Sequence, residues 1–129
     1  MFKESTVFAG FAVRDTDDAK RFYHDTLGLD VREGQQPGIL EINGTGGAPV
    51  IVYPKPDHTP AGFTVLNITV PDIEAAVTKL GQAGVTMEHY DNPPIVTDQN
   101  GILRDDGQAI AWFKDPDGNI LSVIESSRS

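Results

Sequence analysis

Cysteine is absent from the chain, and with it go disulfides, thiolate metal sites and cysteine nucleophiles. Cations are scarce too: 10 Lys and Arg stand against 19 Asp and Glu, a formal charge of −9. That balance repels nucleic-acid phosphates and anionic membrane surfaces, so neither is expected as a partner. Solubility accounts for the charge without any ligand, yet the same charge favours cationic or neutral molecules over anions. Long apolar runs are missing. The opening "MFKESTVFAGFAV" carries Glu4 and only seven apolar or small residues in succession, which fits neither a secretory signal nor a membrane span. A cytoplasmic location is the expectation. Catalytic signatures are equally thin. No G-x-S-x-G occurs, and "GTGGAP" lacks the Lys-Ser/Thr of a phosphate loop. "DPDGN" and "DQNGILRDDG" lack the glycine and glutamate spacing of a calcium loop.

What is present reads as one globular domain of 129 residues, 39% hydrophobic and 22% charged. "TVFAGFAV" (6–13) predicts a buried strand, and Asp15 or Thr16 opens a helix near 16–27 that Gly28 ends. Strand-like "LDVRE", "GILEIN" and "PVIVYP" follow. The order then repeats. "FTVLNITV" (63–70) is a strand, Asp72 opens a helix near 72–83 that Gly84 closes, and "VTMEHY", "QAIAWFKD" and "NILSVIE" read as strands. Val13 and Val70, Asp15 and Asp72, and Ala19 and Ala76 are each 57 positions apart, but Gly28 and Gly84 are 56 apart. The second helix is therefore one residue shorter. The chain reads as α+β, a tandem of βαβββ modules at about 1–60 and 61–129, too small apart to bury much surface.

"VRDTDDAKRFYHDTLGL", followed a module later by "FKDPDGNILSVIE", resembles the vicinal oxygen chelate superfamily along essentially the whole chain. That superfamily holds glyoxalase I, bleomycin-resistance proteins, fosfomycin-resistance enzymes and extradiol dioxygenases. The resemblance implies curled mixed sheets forming a cup, and a homodimer. It also implies four metal-ligand positions, which here are Phe8, Ile51, Val65 and Ser122. Three hydrocarbons and one hydroxyl make a poor set for a divalent ion, so no metal and no cofactor are expected. Glu125 lies three residues past Ser122, on the opposite face of an alternating strand. His24, His58 and His89 each read as surface histidines.

Alternation also names a pocket. Phe8, Gly10 and Ala12 face inward together, as do Val65, Asn67 and Thr69, and Tyr53 goes with Ile51. Closing the Asp115–Asn119 turn pairs Trp112 with Ser122, which puts both on one face. The expected ligand contacts are Phe8, Tyr53, Asn67, Trp112 and Ser122, with Asn67 read as a buried amide in need of partners. The leading function is a non-catalytic binder of a small, partly aromatic, neutral or cationic molecule. The alternatives are an enzyme, a metal-independent one or one with misplaced ligands drawing on Glu41, Glu88, His89 or Asp91, and a plain dimerising module.

Overall fold

The computed structural model describes residues 1–126, which divide into two compact units, the first Met1–Thr59 and the second beginning at Pro60. The first unit runs β1 (Gly10–Val13), α1 (Thr16–Lys20) continuing as a wide-turned segment (Arg21–Thr26), β2 (Asp30–Glu33), β3 (Leu40–Asn43) and β4 (Val50–Pro54). Its sheet has the order β1-β4-β3-β2, with β1 parallel to β4 and the other neighbours antiparallel. Asp15, in extended backbone, starts the helix by accepting from the N–H groups of Asp17 and Asp18 at 2.8 and 3.4 Å. Gly28 ends it with a φ of +74°, open to glycine at no steric cost.

The wide segment explains the mismatched offset. Leu27 N–H reaches back five residues to the Phe22 carbonyl at 2.9 Å, a π-type turn that takes up the extra residue before Gly28. Phe11 packs on Tyr23 with ring centroids 5.8 Å apart, and Val13, Tyr23 and Val52 are sealed from water. The expected strand over 6–13 is shorter than its apolar run. Pairing begins where the Ala9 carbonyl accepts from Ile51 N–H at 3.0 Å, and β4 starts at Val50. Residues before Ala9 thus lie beyond the end of that partner, and Val7 and Phe8 are exposed.

The second unit repeats the order with one insertion. β5 (Thr64–Thr69) and α2 (Ile73–Gln82) are followed by a short hairpin, β6 (Asp91–Asn92) and β7 (Ile95–Val96). β8 (Ile102–Asp105), β9 (Gln108–Lys114) and β10 (Ile120–Ser126) complete it. The sheet order is β5-β10-β9-β8, again with the outer first strand parallel to the last. Two acids hold the start of α2. Asp72 accepts from Ala75 N–H at 3.1 Å, and Glu125 on β10 accepts from Ile73 N–H at 2.6 Å. Phe113 and Leu121 face each other across β9 and β10, both fully buried, as is Ile73 of α2.

One strand expectation is corrected. "VTMEHY" contributes a single bridge, Met87 to Phe113, and β8 takes the neighbouring place beside β9. Asp106 and Gly107 close the β8–β9 hairpin with φ values of 52° and 82°, the two left-handed residues of a tight two-residue turn. The Asp115–Asn119 loop is a second built turn. Asp115 Oδ1 accepts from the N–H groups of Asp117 and Asn119, each at 2.9 Å, while Asn119 Nδ2 donates to Asp115 Oδ2.

Candidate functional site

The Asp115–Asn119 turn sets the register that brings the site together. With it closed, Trp112 lies opposite Ser122, and Ser122 lies opposite Asn67 on parallel β5, as the turn chemistry predicts for the first pair. Phe113 and Leu121 go to the core, so Trp112 and Ser122 share the other face of the sheet. Ser122 is completely buried and its Oγ donates to Asn67 Oδ1 at 2.6 Å. Asn67 itself is exposed, which corrects the buried-amide reading.

A register shift changes the neighbour of Trp112. Ile120 pairs with Thr64 but Leu121 pairs with Leu66, so Val65 is the extra residue of a bulge. Simple alternation along β5 would align Val65 with Asn67 at the site. Instead Thr64 stands there, and its Oγ1 accepts the Trp112 indole N–H at 3.2 Å. Tyr90, also absent from the sequence expectation, sets its ring at 82° to Trp112 with centroids 5.4 Å apart. Backbone pairing fixes that arrangement. Glu88 N–H donates to the Trp112 carbonyl at 2.8 Å, and Tyr90 exchanges bonds with Thr97 through both its N–H and its carbonyl.

These residues enclose an open hollow of about 330 Å³ within the second unit. Trp112 and Tyr90 meet in one corner, Phe63 and Thr64 line it from the start of β5, and Ile120 from β10. Asn92 and Ile95 reach it from the β6–β7 hairpin. Phe63 remains 68% exposed, a large ring left facing water. Burial, and then the nearby Glu88 carboxylate, push the Tyr90 phenol above its usual value, so it stays a neutral donor. Lys114 has its ammonium 3.9 Å from a Glu88 carboxylate oxygen, which offsets the cation on this face.

Of the expected contacts, Trp112 lines the hollow, while Asn67 and Ser122 form a hydrogen-bonded pair beside it. Phe8 and Tyr53 belong to the first unit, where both are exposed. There Ala12 pairs with Tyr53 and Gly10 with Ile51, and the Tyr53 ring comes 3.8 Å from where a Gly10 Cβ would be. His24 and His89 are surface residues, bonded to Asp25 and to the Gln99 carbonyl. His58 is not: it is 8% exposed, and its carbonyl accepts from the Arg14 guanidinium at 3.4 Å.

A metal does not fit the donor set. Phe8, Ile51 and Val65 offer no lone pair, and the Ser122 hydroxyl is engaged with an amide oxygen. Among the described residues, no three His, Asp or Glu side chains are grouped closely enough to hold an ion. Nor is any helix among them long and apolar enough to cross a membrane.

Residues 6–123 match the family model of the Glyoxalase/Bleomycin resistance protein/Dioxygenase superfamily, and the chain belongs to that superfamily. Comparison with the curated proteins finds no match. Among solved structures, it is similar to TnmS3, an antibiotic binding protein from Streptomyces sp. CB03234. The two are 25% identical with a TM-score of 0.69, over 98% of this chain and 99% of the other. A glyoxalase/bleomycin resistance protein from the same Streptomyces strain is 26% identical, with a TM-score of 0.62 over 92% and 98% of the two chains. A superfamily member from Sphaerobacter thermophilus DSM 20745 is 25% identical, with a TM-score of 0.67 over 94% and 96%.

Proposed function

We propose that this chain is a metal-free binding protein that holds a small, partly aromatic molecule, neutral or cationic, against Trp112. The observation that carries the reading is the hollow beside Trp112, with aromatic and apolar walls and few polar groups, the usual lining of a small-molecule site. An antibiotic-binding protein among its structural relatives supports the same class of function. Phe8, Tyr53, Asn67 and Ser122 are proposed as further ligand contacts, and no cofactor takes part. The same reading makes the chain a single domain of two modules, a cytoplasmic protein and a homodimer. Exposed apolar residues near the N-terminus, Phe2, Val7 and Phe8, favour a covering partner. An enzyme reading finds less support, because the family's ligand positions carry side chains without the required donors.

The experiment is a melting-temperature screen of chelator-treated protein against aromatic compounds, with elemental analysis of the untreated protein. Binding to the folded state alone raises the midpoint as ligand concentration exceeds Kd. A rise with an aromatic compound, in protein carrying no stoichiometric metal, supports the proposal. A flat response across the panel, or about one metal per untreated chain, refutes it.

A further inference from the structure

Three aromatic side chains, Phe63, Tyr90 and Trp112, line the hollow described above. Tyr90 and Trp112 stand at 82°, which makes a corner rather than a flat stacking platform. Phe63, more than half exposed, supplies a ring from a different segment of the chain. The volume of about 330 Å³ sits at the small end of ordinary ligand pockets, about 300–1,000 Å³. A lone flat ring would be served by one face. A compact, rounded group is served by several.

The polar surroundings narrow the choice. The Trp112 N–H is already taken by Thr64 Oγ1, so it has little to offer a ligand acceptor. Glu88, held abreast of Trp112 by its backbone bond, brings a carboxylate to this face, and Lys114 is drawn toward it rather than left as an anion receptor. The chain's charge of −9 adds a field of the same sign. Ring quadrupoles present negative faces, and several of them around one cavity attract a poorly hydrated cation without any buried countercharge.

We propose that this hollow is an aromatic cage for an organic cation, a quaternary or alkylated ammonium group carried on a small molecule. The inference rests on the ligand-binding reading above and names its ligand class. The test uses three probes of one shape and different charge: choline, 3,3-dimethylbutan-1-ol and 3,3-dimethylbutanoate. Trp112 is the single tryptophan, so its indole N–H resonance reports each titration without assignment. Choline should bind about tenfold or more tightly than the alcohol, and the carboxylate most weakly. Phe63→Leu keeps apolar area but removes a ring face, and should lower choline affinity by a larger factor than alcohol affinity. Phe63 is so exposed that the variant should fold normally.

Equal binding of choline and the alcohol would overturn the cage and leave a plain apolar site. Preferential binding of the carboxylate, lost in Lys114→Ala, would overturn it too. Failure of all three probes sinks the inference as well, and the melting screen with aromatic compounds then decides separately whether the binding reading survives.

Discussion

Ser122 stands at one of the four metal-ligand positions that the superfamily resemblance implies, and its hydroxyl is spent on Asn67. Losing that hydroxyl in Ser122→Ala should cost about 0.5–1.5 kcal/mol, toward the lower end because exposed Asn67 can turn to water. Placing an acid there is a harsher change. Ser122→Glu places a carboxylate at a fully buried site with an amide oxygen as neighbour, and should destabilise by about 3 kcal/mol or more in urea titration. It should gain no metal, because Phe8, Ile51 and Val65 still offer nothing to share one. Elemental analysis showing stoichiometric metal in that variant would contradict the donor-set argument. Tyr90 gives a third residue-scale test. Burial first, and Glu88 second, favour its neutral phenol. The folded chain thus keeps a proton that the unfolded chain gives up. Its contribution to stability is present below about pH 10 and is lost as pH rises through the folded midpoint. Tyrosinate formed 5.4 Å from Trp112 should quench its fluorescence with a midpoint above about 10, and Tyr90→Phe should remove that transition.

Elements that carry their own boundary chemistry were legible in the sequence. Asp15 and Asp72 start the two helices, Gly28 and Gly84 end them, and the Asp115–Asn119 turn fixes Trp112 opposite Ser122. What escaped was set by partners distant in sequence. Phe8 reads as strand by composition, but β4 begins too late to pair with it. "VTMEHY" reads as strand equally well, yet "ILRD" holds the place beside β9 because Asp106-Gly107 supplies a two-residue hairpin turn. That turn signal was visible in the sequence. The Val65 bulge was not, since nothing local marks it, and it moves Thr64 to Trp112. Glu125 shows the same dependence on tertiary structure. Its expected position off the Ser122 face is observed, and there it bonds the first N–H of α2. Glu125→Ala should therefore lower stability by about 1–2 kcal/mol, comparable with the loss of the Asp72 cap, as measured by thermal or urea unfolding.

Across the whole molecule, the 57-residue repeat and the charge of −9 set the frame: two like modules, and a surface that discourages polyanions. The repeat named the architecture, but it placed only part of the site. Trp112 was readable because one turn fixes its strand register, whereas Tyr90 and Phe63 reach the hollow from segments whose course is set by packing. Whether Trp112 lines a ligand site that works without metal can be read from the fluorescence of this single tryptophan. Chelator-treated protein is titrated with the aromatic compounds that raise its melting temperature, then again after adding nickel, zinc, iron or manganese. A metal-independent site should give a saturable change in Trp112 emission, the same Kd with and without metal, and about tenfold weaker binding in Trp112→Ala followed by melting temperature. Emission that fails to saturate, or that responds only after a divalent ion is added, would contradict it.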